Sequence, residues 1–479
     1  MCKIIGRDKE CRELKDILDS GKSEFVVVYG RRRIGKTFLV REFFNNKFAF
    51  YHTGLSPFEL KDENLLEEQL KSFGMTLARF GAEMTSNPKS WLEAFEILIR
   101  LLESKKGKSR QIVFIDEMPW MDTPRSGFRT AFEHFWNGWA AGRNNLILIV
   151  CGSATSWIND TLINNHGGLF DRVTRTIHLS PFELKSTGEL LKANGIQTNE
   201  YDLLQSQMVF GGVPFYISNL RKDFSMAQNI DRMFFDSDAK LKNEFSRLFA
   251  SSFKNAEMCE KIVRILFKRK YGYTREELAK TLGTMPGGSL SKLLDGLESS
   301  GFILAYKNLR DKRKVYYKLI DRFCLFWLSF IDGKKTNDRH YWQNSQNSPA
   351  LDSWRGLAFE NLCFSHSDCI RQALGIGGVN TEVSTWLYDG DDEHKGAQID
   401  MVLTRADNII NLCEMKFSKN EFSVNKEYDK RIRERTETFR EVEKTRKVIH
   451  NTLITTYGLK RNAYSDQFQS VVTASQLMV

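Results

Sequence analysis

One eight-residue stretch constrains this chain more than any other. Gly30-Arg31-Arg32-Arg33-Ile34-Gly35-Lys36-Thr37 reads GxxxxGK[ST]. It follows an apolar run, Glu24 to Gly30, that reads as a short buried strand ending in a turn, and it opens a helical pattern from Lys36 to Phe44. A strand, a glycine-bearing loop and a helix start together make a phosphate cradle. The loop turns its backbone N–H groups inward as an anion nest, and the helix N-terminus adds positive potential. In such a cradle Lys36 reaches the β- and γ-phosphates and Thr37 offers its hydroxyl to Mg2+. Two more apolar runs, Ile112–Ile115 and Leu146–Val150, read as buried strands, with helical stretches such as Trp91–Glu103 between them. The alternation predicts an α/β fold with a mostly parallel sheet.

The second half of a nucleotide site is expected where the strand 112–115 ends, at Asp116-Glu117. There Asp116 would hold Mg2+ through water and Glu117 would polarise the attacking water. The strand 146–150 ends at Cys151-Gly152-Ser153. Ser153 is a candidate sensor of the γ-phosphate, the competing reading being an N-cap for the next helix. Arg172 and Arg175 precede another strand, Thr176–Leu179. An arginine on such a loop can stabilise developing phosphate charge; the alternative is a surface ion pair.

Composition sets the wider frame. At roughly 150 residues per domain, a chain of 479 residues suggests about three domains. Hydrophobic residues at 41% and charged residues at 27% exclude a mostly disordered chain. No apolar run approaches the length of a membrane span, so no membrane partner is expected. The eight cysteines show no repeating CxxC pair and the opening residues do not read as a signal peptide. A cytoplasmic location with free thiols is the expectation. The net charge of +10 favours an anionic partner, DNA first.

Several motifs come in one order: Ile5-Gly6-Arg7, the loop from Tyr29 to Thr37, Phe114-Ile115-Asp116-Glu117, Cys151-Gly152-Ser153, Arg172 before a strand, Leu179-Ser180-Pro181-Phe182, and Gly211-Gly212-Val213-Pro214-Phe215-Tyr216. This series resembles the archaeal-type ATPases of the AAA+/STAND class, over residues 1 to about 330. The resemblance implies ATP and Mg2+ as ligands, with Ile5, Gly6 and Arg7 and the stretch 212–214, Pro214 included, framing the adenine. It implies that Arg172 is the loop arginine of the family, with Phe170-Asp171-Arg172 where members often carry Tyr-Gly-Arg. A homo-oligomer follows if that arginine acts in trans. The P-loop ATPase core is then placed at 1–182 and a helical lid at 183–255, with ATP between them.

Residues 256–330 carry a different signature. Met258–Arg269 has helical spacing, Thr274 and Glu277 form a capping box, Gly283 ends that helix, and Ser289–Ser299 is a third. Phe302–Tyr306 and Lys314–Leu319 suggest a hairpin around Arg310-Asp311-Lys312-Arg313, so the segment reads as a winged helix. The functional reading puts Ser289, Ser291 and Lys292 near a DNA groove; the other makes it an interdomain packing module.

After a polar stretch near 333–349, residues 350–479 form a further α/β unit. Two strands flank a turn at Ala406-Asp407-Asn408. Asp400 lies on the first; Glu414 and Lys416 lie on the second, two apart and on one face. Asp with Glu-x-Lys on adjacent strands is the arrangement of restriction-endonuclease-like nucleases, and this part resembles the nuclease-like domain often fused to these ATPases. Asp400 and Glu414 would offer oxygens to Mg2+ and Lys416 would orient or deprotonate water; Glu360 on an upstream helix could add a carboxylate. The rival reading is a degenerate nuclease fold used for binding. Cys363-Phe364-Ser365-His366-Ser367-Asp368-Cys369 shows no four-ligand zinc pattern and reads as packed thiols with an exposed histidine. The leading expectation is an ATPase whose nucleotide state controls a DNA-acting nuclease-like domain. The alternatives are a STAND-type assembly switch with a non-catalytic C-terminal domain, and a winged-helix regulator.

Overall fold

The computed structural model describes residues 4–57, 64–105, 109–163, 167–333, 338–392 and 394–478. Part of the polar stretch expected to separate domains, 334–337, lies outside the described residues. The chain divides into two compact units, residues 1–180 with 250–256 and residues 181–249 with 257–479.

The first unit is built on α1 (Asp8–Asp19), β1 (Glu24–Tyr29), α2 (Lys36–Phe43), β2 (Phe50–Thr53), α3 (Leu65–Arg79), α4 (Trp91–Ser104), β3 (Gln111–Asp116), α5 (Phe128–Gly138), β4 (Leu146–Gly152) and β5 (Arg175–His178). The strands lie in the order β2-β3-β4-β1-β5 and every pairing is parallel. Helices cover both faces, which is why β1, β3 and β4 read as unbroken apolar runs. Phe25, Val27, Val113, Ile115, Leu148 and Val150 pack on the side of α3, α4 and α5. Val26, Val28, Phe114, Ile147 and Ile149 pack on the side of α1 and α2. The expected α/β architecture with a parallel sheet is the one observed. Its order seats β4 between β1 and β3, so the loop after β1 and the acidic pair after β3 flank the tip of β4. The edge strand β2 has only four residues, Phe-Tyr-His-Thr, too short to stand out as a period in the sequence.

The second unit opens with helices Leu184–Ala193, Glu200–Phe210 and Met226–Phe234. Helix Ala256–Phe267, β6 (Tyr273–Thr274), helices Arg275–Leu282 and Gly288–Ser299, and the hairpin of β7 (Ile303–Asn308) and β8 (Asp311–Leu319) follow. The capping box forms: the Glu277 N–H donates to the Thr274 hydroxyl at 3.2 Å and the Thr274 N–H donates to Glu277 at 2.8 Å. The hairpin turns earlier than expected. Asn308 pairs with Asp311, so the turn is Leu309-Arg310, while Asp311 and Arg313 sit on β8.

The last part contains helix Pro349–Ser365, β9 (Thr381–Gly390), β10 (Lys395–Arg405), β11 (Ile409–Lys416), β12 (Phe422–Ser423), helix Lys426–Glu443, β13 (Val448–Thr455), β14 (Leu459–Lys460) and β15 (Ser470–Thr473). Eight strands form one sheet in the order β15-β13-β11-β10-β9-β7-β8-β6. The hairpin joins it where Asn308 meets Thr385, so this sheet runs across the interval 330–350 in which the sequence suggested a boundary. Helix 426–443 carries charges of both signs over most of its length and buries only Ile432 and Phe439. Phe439 packs against Trp386, Ile399, Val402, Ile410 and Leu412 of the sheet.

Candidate functional site

The loop from Gly30 to Thr37 is shaped by backbone that side chains resist. Gly30 has φ +141°, and a Cβ there would lie 2.3 Å from the Leu179 carbonyl oxygen. Arg33 and Gly35 take left-handed φ of +68° and +91°. Left-handed residues in a tight loop are the conformation from which anion nests are built. Gly35 is the N-cap of α2, and Lys36 and Thr37 are its first two residues. Arg31 is buried, and Arg32 and Arg33 are half-buried. Ile34 packs among Val26, Val28 and Leu179. Lys36 is only 5% exposed, and its ammonium donates to the Gly30 and Arg31 carbonyls at 3.0 and 3.1 Å.

The tip of β3 meets this loop. The Thr37 hydroxyl donates to Asp116 Oδ2 at 2.7 Å. Asp116 Oδ1 accepts the Glu117 N–H at 3.0 Å and the Cys151 thiol. Thr37 and Asp116 thus bring a hydroxyl and a carboxylate together, hard oxygen donors that suit Mg2+. Glu117 follows in a left-handed conformation, φ +47°. Its Oε2 accepts both the backbone N–H and the hydroxyl of Ser153, each at 3.1 Å. Ser153, at 1% exposure, also lies 3.1 Å from the Ser251 carbonyl oxygen. Ser153 is not an N-cap; that position belongs to Ala154. Burial pushes the Glu117 carboxyl up; the Lys36 charge pulls it back, Asp116 raises it further, and the two Ser153 hydrogen bonds lower it.

Arg7 donates to the Ile34 carbonyl at 3.1 Å and the Ser180 carbonyl at 2.8 Å, tying the residue after Ile5 and Gly6 to the loop. Ile5 is half-buried. Arg172 is exposed, and its N–H donates to the Leu169 carbonyl at 3.2 Å. Asp171 before it has φ +54°, a backbone that favours the glycine of the resembling family. Arg175 is exposed at the start of β5 and donates to its neighbour's carbonyl. Pro214 belongs to the second unit, where it is the first residue of the short helix Pro214–Ile217.

The carboxylates of the C-terminal sheet do not form the expected single site. Asp400 and Glu414 occupy adjacent strands, but β10 carries a bulge between Ile399 and Val402. Ile399 and Val402 both join the apolar cluster beside Phe439, which only a change of alternation allows. Leu412 is in the same cluster, so Glu414, two residues on, faces helix 426–443. Asp400 faces the other side.

Each acid therefore has its own partners. Glu414, 6% exposed, accepts Arg435 at 2.6 Å, Lys416 at 2.9 Å and the Tyr428 hydroxyl. Burial alone would raise its carboxyl, but the Arg435 and Lys416 charges and the Tyr428 bond outweigh it and hold it at about 2. Lys416 shares its face as expected and is half-buried. On the opposite face, Lys270 lies 2.9 Å from Glu360 Oε2 and 3.5 Å from Asp400 Oδ1. Gln398 also donates to Asp400, at 2.5 Å. Burial and then Asp400 raise the Glu360 carboxyl to about 7 against the pull of Lys270. The metal expectation for Asp400 with Glu414 is thus corrected: a bulge places them on two faces, and each is met by cations of the chain. Among the described residues no group of three His, Cys, Asp or Glu is gathered for a metal ion.

Sequence reading missed Lys270, Arg435 and Tyr428. Tyr428 and Arg435 stand seven apart on one helix and therefore on one face, a spacing that could have pointed to them. Lys270 carried no such signal. His366, expected to be exposed, is 3% exposed. One ring nitrogen meets the Leu362 carbonyl at 2.9 Å and the other accepts the Leu184 N–H at 3.4 Å.

The sheet order, the loop and the paired acids define a P-loop ATPase core. Residues 4–220 match the family described as an ATPase domain predominantly from Archaea. The chain is 23% identical over 405 residues to the uncharacterized protein MJECL04 of Methanocaldococcus jannaschii, covering 83% of this chain and 84% of that one. A 44-residue stretch, 9% of this chain, is 37% identical to the uncharacterized ATP-binding protein MJ0423 of the same organism and covers 75% of it. Among solved structures, the Walker-type ATPase PABY2304 of Pyrococcus abyssi aligns at TM-score 0.46 and 19% identity, covering 68% of this chain and 96% of that one. The ORC2 protein of Aeropyrum pernix aligns at TM-score 0.40 and 14% identity, covering 76% and 96%. Among the described residues no helix is long and apolar enough to cross a membrane.

Proposed function

We propose that this chain binds and hydrolyses ATP, and that its nucleotide state sets the behaviour of its C-terminal domain. The observation that carries the reading is the junction of loop and strand tip. Thr37 meets Asp116 at 2.7 Å while Glu117 is held by Ser153. In this reading the loop N–H groups and Lys36 bind the phosphates, Lys36 exchanging its two carbonyl partners for phosphate oxygens. Glu117, as carboxylate, takes the proton of the attacking water as its oxygen bonds to the γ-phosphorus and the bond to the β-phosphate oxygen breaks. Ser153 fixes the orientation of that carboxylate. Thr37 and Asp116 would hold Mg2+, which when bound neutralises charge on the phosphate oxygens. Ile5 and Arg7 remain the proposed adenine contacts, and Arg172, being exposed, is proposed to reach a neighbouring copy. Steady-state ATP hydrolysis by Lys36→Ala and Glu117→Gln tests the reading. Glu117→Gln should bind ATP and fail to turn it over, and normal turnover would sink the assignment.

We read residues 1–182 as the core, 183–255 as the lid, 256–330 as a winged helix and 350–479 as a restriction-endonuclease-like fold. The partition of Asp400 and Glu414 to two faces favours a C-terminal domain that binds, with DNA as the partner suited to the net positive charge. The cytoplasm is the compartment proposed for it. The nuclease reading keeps one supporting observation, Lys416 beside Glu414 at 2.9 Å. Plasmid cleavage with Mg2+ or Mn2+ tests the nuclease reading: a nick that disappears in Lys416→Ala establishes cutting, and intact plasmid overturns it.

A further inference from the structure

The row of side chains that β4 turns toward α2 is Ile147, Ile149 and Cys151, packed with Val26, Val28 and Phe114. Strand side chains alternate between faces, so this row runs straight to the acid pair. In the parallel ladder Ile115 pairs with Val150, which sets the next residues, Asp116 and Cys151, side by side on the α2 face. Two apolar strands thus end together in a carboxylate and a thiol, and the Cys151 thiol donates to Asp116 Oδ1. Cysteine suits this place because it packs as a small hydrophobe and still carries an S–H donor.

Both oxygens of Asp116 are engaged. Oδ2 accepts the Thr37 hydroxyl at 2.7 Å, and Oδ1 accepts the Glu117 N–H at 3.0 Å as well as the thiol. Donors from three directions fix the plane of the carboxylate. Thr37 is itself a proposed Mg2+ ligand and the Glu117 donor is backbone, so the thiol is the side chain that braces Asp116 from behind. Cys151 is 0% exposed. Burial, and then the Asp116 and Glu117 charges, hold the proton on its sulfur against the pull of Lys36, so it meets Asp116 as a donor.

We propose that Cys151 is a positioning residue for Mg2+-ATP, its thiol fixing Asp116 in the orientation from which Asp116 and Thr37 take the ion. The inference rests on the ATPase reading and adds to it a residue that acts through Asp116. Groups that orient a metal-binding carboxylate contribute about 10–100-fold to metal affinity. A residue that only fills the core would behave in the opposite way, tolerating a small apolar replacement and resisting a buried hydroxyl.

The test measures ATP affinity by calorimetry, with Mg2+ and with EDTA, in the full chain carrying Glu117→Gln, so that ATP is not turned over. The readout is the gain in affinity due to Mg2+. Added to that chain, Cys151→Ala should cut the gain by about 10–100-fold, abolishing it where it is smaller, and leave the Mg2+-free affinity unchanged. Cys151→Ser restores a donor and should keep the gain, although its buried hydroxyl should lower the melting temperature below that of Cys151→Ala. Should it melt below the assay temperature, Cys151→Thr and Cys151→Val decide: the two have the same shape, and only threonine carries a donor. An unchanged gain in Cys151→Ala, an equal loss in the variants with and without a donor, a matching fall in the Mg2+-free affinity, or no Mg2+ gain before Cys151 is altered overturns the proposal. No ATP binding at all by the Glu117→Gln chain in Mg2+ overturns the ATPase reading itself, and this inference with it.

Discussion

Two acidic pairs in this molecule start from similar sequence signals and end differently. Asp116-Glu117 at the tip of β3 and Asp400 with Glu414 on β10 and β11 both put carboxylates on strands among apolar residues. In the first pair the acids are consecutive. The parallel order β2-β3-β4-β1-β5 carries them to the loop and to Ser153. In the second the acids are on two strands, and one bulge between Ile399 and Val402 sends them to opposite faces. Consecutive residues need only their own strand to be right, whereas cross-strand partners need every residue between them to keep register.

The environments differ as well. Glu117 is buried with one cation nearby and its carboxyl is raised, the state of a group poised to take a proton. Glu414 is buried with two cations and a hydroxyl, and its carboxyl is held at about 2, the state of a fixed anion. The first suits catalysis and the second suits cohesion of the sheet with helix 426–443.

That contrast can be broken by measurement. The largest effect is expected for Glu117→Gln, which should cut ATP turnover by about 10²–10⁴-fold, the usual contribution of a general base, while leaving the thermal melt in place. Glu414→Gln should do the reverse. Removing one partner of a buried ion cluster costs about 3–5 kcal/mol, so denaturation of the second unit should shift while ATP turnover in the native protein does not. The stability due to Glu414 is fully present above the carboxylate pKa of the unfolded chain. It is lost as pH falls through about 2, so the Gln variant and the parent should converge in strong acid. Lys36→Ala should weaken ATP by roughly 10–100-fold, the scale of charged hydrogen bonds, measured by equilibrium binding. The smallest effect is assigned to Ser153→Ala, a loss of about tenfold in turnover. In its proposed role Glu117 acts as a carboxylate whose pKa burial raises, so turnover should rise with pH through that value. Ser153→Ala removes the hydroxyl bond and keeps the backbone one, so it should move the rising limb to higher pH.

Much of the first unit was legible because its information is local. The loop motif, the helix start at Lys36 and the runs Ile112–Ile115 and Leu146–Val150 each state their structure within a few residues. Strand β2 was missed because four edge residues hold too little periodicity. The capping box of Thr274 and Glu277 was readable for the same local reason, while the hairpin beside it turned two residues early through a bulge at Lys307 and Asn308.

By itself the sequence determined the phosphate loop, the parallel α/β core, the acid pair that follows β3, and the face shared by Glu414 and Lys416, all set by spacing along one segment. Only the tertiary structure decided that Ser153 grips Glu117, that Asp400 and Glu360 share Lys270 while Glu414 belongs to Arg435 and Tyr428, and that Lys318 lies buried over the Phe364 ring. These depend on which strands become neighbours and on one inserted residue in a ladder, and neither leaves a periodic trace along the chain. A side chain's period is a property of its own strand; the group it meets is a property of the packing.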